Sequence, residues 1–480
     1  MFEEIPRPGL WKKLLIGAAL VVFASAGATA VAGFHEVDKV VDALELSPEL
    51  DLPGLADTDP GEPQTLMILG SDRRPKNNVE GGAGARSDTI MLVRLNPDKD
   101  ATALMSLPRD LKVQIPGHGT DKINAAYDLG GPRLTLKTVK QLTGLSINHV
   151  INVSFGGFWR AVNAIGCVYA DVDRRYFNDN PEFAPIDVQP GYQRLCARKA
   201  LQYVRFRHED NDLVRSARQQ DFLRQTKQQV NYTELISKRD RLVKIFGRNT
   251  TTDTGLHSRA EVLRLMKLAV FSAGRPIREI HFEGLIGPSY VEASDERVKK
   301  LVQEFLQLEG TPGPRGELKD KARKRKRRPP SPGDVGLEDA FGFGRDQALQ
   351  AVQQGLGKTL PVLFPRLRTS GSLYAGPPRV YKLRANGRTH ASYRMVLNRA
   401  LGVGEYYGLQ GTTWKDPPIL EEATETRKVG RREYELHYDG DRLRLVAWRT
   451  DKGAYWVSNT LLQSLTEGQM MGIARSARGL

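Results

Sequence analysis

Three short apolar runs, TLMILG (65–70), TIMLVRL (89–95) and ATALMSL (101–107), narrow most what this chain can fold into. Each is too short for a stable helix and each ends in a turn former. Apolar runs of about 4–8 residues bounded in this way read as buried strands. The NPDKD between the last two marks a tight turn, so they are expected to pair as a hairpin. Helical patterns at 133–143 and 155–165 then alternate with strand patterns in HVINV (149–153) and VYADVD (168–173). Leu213 to about Lys238 reads as one long helix. REIHFEGL (278–285) reads as a late strand, and SDERVKKLVQEFLQL (294–308) as a helix capped by its Ser or Asp. Strands alternating with helices predict an α/β fold, an α/β/α three-layer domain over 64–309.

The flanking segments have different characters. Leu14 to Phe34 holds no charged residue and is long enough to span a bilayer as a helix, where about 20 apolar residues suffice. Lys12 and Lys13 precede it, so the positive-inside bias keeps residues 1–13 in the cytoplasm and sends the remainder outside. A cleaved signal peptide is the competing reading, with ASA and ATA as small-residue cleavage sites. Residues 35–63 are acidic and Pro-containing, a juxtamembrane helix and linker. Residues 310–336 are Pro, Gly and charge, hence a disordered linker. Its KARKRKRR run would touch anionic lipid or wall polymer outside a membrane, or serve only as a solvated spacer. Residues 337–480 form a smaller unit expected to be α+β. It has a helix at 345–356, strands in RVYKLRA, ASYRMVL and EYYGLQG, and an Asp439-Gly440 hairpin. Trp448, Tyr455 and Trp456 there read either as core aromatics or as a binding face.

The formal net charge of +15 favours polyanionic partners. With an anchored, exported chain, those are anionic lipid or cell-wall polymer rather than nucleic acid. The only two cysteines, Cys167 and Cys196, suggest a disulfide in an exported chain; two buried thiols are the alternative. Such a bond closes a loop of about 30 residues, worth roughly 3–4 kcal/mol in the chain-entropy treatment.

Chemistry concentrates in two places. In ALQYVRFR an extended end would put Arg205 and Arg207 on one face and Val204 and Phe206 on the other. Asp212 suits the N-cap of the next helix, where Arg215, Arg218, Gln219 and Phe222 share a face. Arginines gathered at a helix N-terminus make an anion site, and the guanidinium fork matches phosphate oxygens. The second place is a set of strand ends. LGSDRR supplies Asp72 and Arg74, GGAGARSDT supplies Arg86 and Asp88, and SLPRD supplies Arg109 and Asp110. Asp72 and Asp88 on neighbouring strand ends can share one Mg²⁺, completed by waters and phosphate oxygens.

LGSDRR, RSDTIMLVRLNPDKDATALMSLPRD, KINAAY and LQYVRFRHEDNDLVRSARQQ together resemble the signature blocks of the LytR-CpsA-Psr family, in the family's order and spacing. The resemblance covers roughly 64–235. It implies a single-pass membrane protein whose extracytoplasmic domain uses Mg²⁺ to transfer a glycopolymer from a polyprenyl pyrophosphate carrier to peptidoglycan, with a pyrophosphatase side activity. It implies that Arg74, Arg86, Arg109, Arg205, Arg207, Arg215 and Arg218, with Gln219, grip the pyrophosphate, and that Asp72 and Asp88 hold the metal. Arg109, Asp110 and Asp210 are the candidate catalytic residues, either Asp as proton acceptor. The carrier lipid needs an apolar slot, for which Leu134, Val139, Leu142, Phe155, Phe158, Trp159 and Val162 are candidates; they would equally serve as core. Cys167 stands where the family often carries a glycine, and the C-terminal unit does not match the family's usual accessory domain.

Two other readings compete. A non-catalytic binder of anionic wall polymer would use the same basic cleft, but a carboxylate pair in that cleft repels an anion unless a cation intervenes. A transcription regulator would suit the net charge, but the anchor and its charge asymmetry oppose it.

Overall fold

The computed structural model describes residue 42 and most of 48–480; residues 1–41, 43–47, 58, 60, 72–86, 100, 181–184, 207–211, 230–231, 274, 276, 283, 288, 308–335, 400–404, 422 and 441 lie outside it, as does the side chain of Asp88. The span at 14–34, most of the linker at 310–336, and Asp72, Arg74, Arg86, Arg207 and Asp210 therefore lie outside the described residues. Among those described, no helix is long and apolar enough to cross a membrane.

In chain order the first domain runs β1 (Glu49–Leu50), β2 (Gln64–Ser71), β3 (Ser87–Leu95), β4 (Thr102–Leu107), β5 (Lys112–Ile115), β6 (Gly119–Lys122), α1 (Ala125–Thr143) and β7 (His149–Ser154). It continues with α2 (Phe155–Ile165), β8 (Val168–Val172), β9 (Tyr176–Asn178), β10 (Ile186–Val188), β11 (Gly191–Leu195), α3 (Ala197–Arg205), α4 (Asp212–Gln229) and α5 (Tyr232–Asn249). Last come β12 (Thr250–Asp253), α6 (Arg259–Ala273), β13 (Ile277–Ile280), β14 (Leu285–Ile286), β15 (Val291–Glu292) and α7 (Asp295–Gln307). The main sheet has the order β1-β12-β7-β2-β3-β4-β13 and is mixed: β2 pairs antiparallel with β3 and parallel with β7, and β13 runs parallel to β4.

Alternation along the strands explains the layers. Met67, Leu69, Ile90, Leu92, Met105 and Val150 pack with Leu136 and Val139 of α1 and Val298, Leu301 and Phe305 of α7. Leu66, Leu95 and Ile151 point the other way, onto Leu256 and onto Val262 and Leu268 of α6. Helices thus cover both faces. A third apolar cluster, holding Val162, Val168, Val172, Tyr203, Phe206 and Phe222, joins α2, α3 and α4 to β8 beside the sheet.

Local signals account for most elements. Helix α2 starts where the Ser154 hydroxyl accepts the Gly157 N–H at 3.2 Å, the N-cap bond that satisfies an orphan donor. Within α1 the backbone leaves helical angles at Gly130 and Gly131, where φ of 59° at Gly131 suits glycine, and Pro132 opens the second run.

Several expectations need correction. The extended end expected for ALQYVRFR begins only at Phe206, at ψ 138°, because α3 (Ala197–Arg205) runs through Val204 and Arg205, with Ala200, Tyr203 and Val204 at i, i+3, i+4 as its buried face; Arg207 lies outside the described residues. The helix expected over 213–238 is covered by α4 and α5, on either side of residues 230–231, which lie outside the described residues. The strand expected in VYADVD is β8, which pairs with β11 in a two-stranded ribbon. REIHFEGL is not one strand, since β13 stops at Ile280 and β14 starts at Leu285. The segment taken as linker contributes β1 to the sheet, with Leu50 and Leu52 buried in the core.

The C-terminal domain contains β16 (Leu337–Asp339), α8 (Phe341–Gln353), β17 (Leu367–Thr369), β18 (Leu373–Tyr374), β19 (Arg379–Ala385), β20 (Arg388–Asn398), β21 (Tyr406–Thr412), β22 (Glu425–Val429), β23 (Arg432–Asp439), β24 (Arg442–Arg449), β25 (Ala454–Ser458) and α9 (Glu467–Ser476). It is β-rich: β18-β20-β21-β25-β24-β23-β22 form an antiparallel sheet, with β19 beside β20. Gly440, at φ 58°, turns the β23–β24 hairpin. Trp448 and Tyr455 pack beneath α8 and α9. Trp456 faces the opposite way, into an apolar cluster shared with Tyr192 and Tyr169 of the first domain. All three aromatics are core. The two domains therefore share a buried seam, held further by Tyr381 Oη donating to the Tyr192 carbonyl at 2.9 Å and Trp456 Nε1 donating to Asp171 Oδ2 at 3.2 Å.

Candidate functional site

Four of the residues singled out in the sequence, Arg109, Asp110, Asp212 and Arg215, gather where β4 ends. Pro108 follows the strand, and the next two residues, Arg109 and Asp110, meet the first turn of α4. Arg109 Nε lies 3.6 Å from both Asp110 Oδ2 and Asp212 Oδ1. Asp212 also accepts the Asp110 backbone N–H at 3.4 Å and pairs with Arg215 one turn along its own helix. Asp212 is thus a first-turn residue whose carboxylate ties two arginines together. Burial pushes its carboxyl above the ordinary aspartate value, against the opposing pull of Arg215. Asp110 is half-open to solvent and is held by Lys122 Nζ at 3.1 Å, at the end of β6.

A second group of guanidiniums sits deeper. Arg218 is fully buried, donates to the Phe206 carbonyl, and stacks over Tyr176 at 4.6 Å and Tyr203 at 5.7 Å. Arg174, just after β8, lies over Tyr176 at 4.8 Å, Phe206 at 5.4 Å and Tyr406 of the C-terminal domain at 5.1 Å. An arginine on an aromatic face keeps its charge while burying its planar surface. Gln219 donates to the Val204 carbonyl at 3.2 Å, pinning α3 to α4. Arg205 is exposed and stacks over Phe155 at 3.9 Å.

Arg109, Asp110, Asp212 and Arg215 therefore meet directly, whereas Arg218, further along α4, contacts Phe206, Tyr176 and Tyr203. Asp88 stands in β3 beside Ser87, which the antiparallel register sets opposite Ser71; Asp72 lies outside the described residues. The lipid-slot candidates do not line one surface. Leu134, Val139 and Leu142 pack into the cluster under α7, whereas Phe158 and Val162 pack against α3 and α4. The reason is topological: α1 covers the face bearing Val150, and α2 packs with α3 and α5 on the other side. Phe155 lies beneath Arg205, and Trp159 is exposed beside Arg160. Cys167 and Cys196 are joined as a disulfide across a separation of 29 residues, tying the end of α2 to the start of α3.

Two residues escaped the sequence reading. Lys122 lies within KINAAY, where a lone lysine after a strand gives no sign of its partner. Arg174 stands in DVDRRYF, and the double arginine after a strand was the available signal.

Residues 24–303 match the LytR_cpsA_psr family. The chain belongs to that family. It is 31% identical over 248 residues to the polyisoprenyl-teichoic acid–peptidoglycan teichoic acid transferase TagU of Oceanobacillus iheyensis, covering 50% of this chain and 74% of that one. It is 31% identical over 255 residues to TagT of Bacillus subtilis, a transferase of the same description, covering 51% and 78%. Against the probable cell wall biosynthesis protein LcpB of Corynebacterium glutamicum it is 33% identical over 195 residues, covering 38% and 45%. A solved structure of the family protein YwtF (TagT) with bound octaprenyl pyrophosphate lipid aligns at 24% identity and a TM-score of 0.39, covering 54% of this chain and 98% of that one. The family match ends at residue 303, so the C-terminal domain lies beyond it.

Proposed function

We propose that this family member is a phosphotransferase that moves a glycopolymer from a polyprenyl pyrophosphate carrier to peptidoglycan. It works on the outer side of the cell membrane, anchored through 14–34, and uses Mg²⁺. One observation carries the reading: Arg109, Arg215 and Lys122 converge on Asp110 and Asp212 in a chain 31% identical to named teichoic acid transferases.

Phosphoryl transfer asks the protein mainly for positioning and charge stabilisation. A peptidoglycan sugar hydroxyl attacks the phosphorus attached to the glycan. The bond from that phosphorus to the bridging oxygen breaks, a phosphodiester forms, and polyprenyl phosphate leaves with the electron pair. Arg109 and Arg215, already aligned by Asp212, would meet the diphosphate oxygens through charge-assisted bonds. Arg74, Arg86, Arg205 and Arg207 would complete that grip. The hydroxyl proton goes to Asp110 or Asp210; at Asp110 this requires a shift in its contact with Lys122. Asp72 and Asp88 would hold Mg²⁺, whose remaining ligands would be waters and phosphate oxygens. The ion would supply neutralisation of the diphosphate charge.

The test is transfer of radiolabelled lipid-linked glycan to peptidoglycan by Asp88→Ala and Arg109→Ala. Loss of about 100-fold or more in both fits removal of a transition-state charge partner. Wild-type transfer by both variants would end the enzyme reading and leave polymer binding.

A further inference from the structure

The seam between the domains holds a second constellation, away from the arginine site. Strand β13 forms one edge of the main sheet, and the β23–β24 hairpin lies against it. Glu279 on β13, His281 just past it and Asp439 at the end of β23 meet there. All three are buried, and one ligating atom from each lies within 4.8 Å of the others.

Their partners leave a defined gap. Glu279 uses Oε1 to accept from Arg224 Nε at 2.7 Å, while Oε2 stands 3.5 Å from His281 Nε2. Asp439 accepts the Glu279 backbone N–H at 3.5 Å through Oδ1 and Gln463 Nε2 at 3.0 Å through Oδ2. Gln463 is only 6% exposed, lines the adjoining polar pocket of about 30 Å³ with Glu279 and Arg444, and its amide oxygen has no hydrogen-bond partner. A buried carbonyl oxygen without a donor is costly, and a cation is one way to satisfy it.

We propose that Glu279, His281 and Asp439 form an inter-domain site for a divalent transition-metal ion of the zinc or manganese class, with the Gln463 amide oxygen or a water completing its shell. The geometry is close to what such an ion needs. Bonds of about 2.1 Å in a tetrahedron set ligand atoms about 3.4 Å apart; the Glu279–His281 edge already measures 3.5 Å. The imidazole decides the class, because nitrogen donors suit zinc and manganese better than calcium or magnesium. Glu279, Asp439 and the neighbouring Asp221 outnumber the buried Arg224 and Arg444 by one negative charge, which the ion would offset. Arg224 then acts from outside, orienting the carboxylate through its other oxygen. The ion would staple the C-terminal domain to the catalytic one.

Full-length protein stripped with a chelator and titrated with Zn²⁺ by calorimetry tests this. The expected result is one equivalent lost, or bound at least tenfold more weakly, in His281→Gln and in Asp439→Asn, and retained in Asp88→Asn. Zn²⁺ should raise the melting temperature of the wild type and not of the two seam variants. Equal Zn²⁺ binding by wild type, His281→Gln and Asp439→Asn overturns the proposal and leaves a metal-free ion-pair seam. If the variants do not fold, wild-type crystals soaked in Zn²⁺ decide: an anomalous peak between the three side chains supports the site, and its absence there overturns it.

Discussion

Removing the Cys167–Cys196 bond isolates one term of this protein's stability. The two cysteines are 29 residues apart in sequence. Treating the bond as a constraint on the unfolded chain gives about 3.6 kcal/mol for a loop of this length. Spread over a catalytic domain of roughly 250 residues, that is a fall of about 7 °C in its melting temperature. The native side adds a refinement. Cys167 has φ 71°, a left-handed conformation that costs a residue with a Cβ about 1 kcal/mol. A Cys167→Gly/Cys196→Ala pair should therefore melt about 2 °C above a Cys167→Ala/Cys196→Ala pair, although both lack the bond. Calorimetric scans of wild type, wild type in reductant and both double variants measure this. A Cys167→Ala/Cys196→Ala protein melting within about 1 °C of the wild type would refute the entropic account, since the predicted shift is several times larger. Because the bond anchors the start of α3, which carries Arg205 at its end, transfer activity should also fall in both variants.

Four further outcomes are expected. Asp212→Asn deprives the buried Arg215 and the half-buried Arg109 of their shared carboxylate, so chemical denaturation should show a loss of about 1–3 kcal/mol. The Asp212 carboxyl is raised in the folded state, so its favourable contribution is full at acid pH and is lost as pH climbs from about 4 through the raised value; Asp212→Asn should flatten that part of the stability–pH curve. Arg218→Lys keeps the charge but not the planar stack over Tyr176 and Tyr203, so the melting temperature and transfer rate should both drop, while Arg205→Lys, at an exposed position, changes stability by about 0.5 kcal/mol or less. Trp456→Phe deletes the indole donor to buried Asp171 and should cost about 1–3 kcal/mol, read as earlier separation of the two domains in limited proteolysis. Chelation of Mg²⁺ should abolish transfer, and Mg²⁺ should restore it in the wild type but not in Asp72→Asn.

The sequence alone carried the elements whose signal is local. Strands β2, β3 and β4 follow from apolar runs closed by turn residues, α2 from its Ser154 cap and 3.6-residue period, and the β23–β24 turn from Asp439-Gly440. Arg109, Asp110, Arg215 and Arg218 were legible because charged pairs after strands and at a helix start repeat one chemical pattern. What the pattern could not carry was partnership. Helix α3 hid behind the alternation of its last residues, and β1 is too short to announce itself without β12 beside it. Lys122 finds Asp110, Arg174 finds Tyr406, and Glu279 finds Asp439 across separations that no local rule spans. Periodicity records which side of an element faces inward; only the packed chain decides which distant side chain waits there, because burial makes a charge costly until a particular neighbour compensates it.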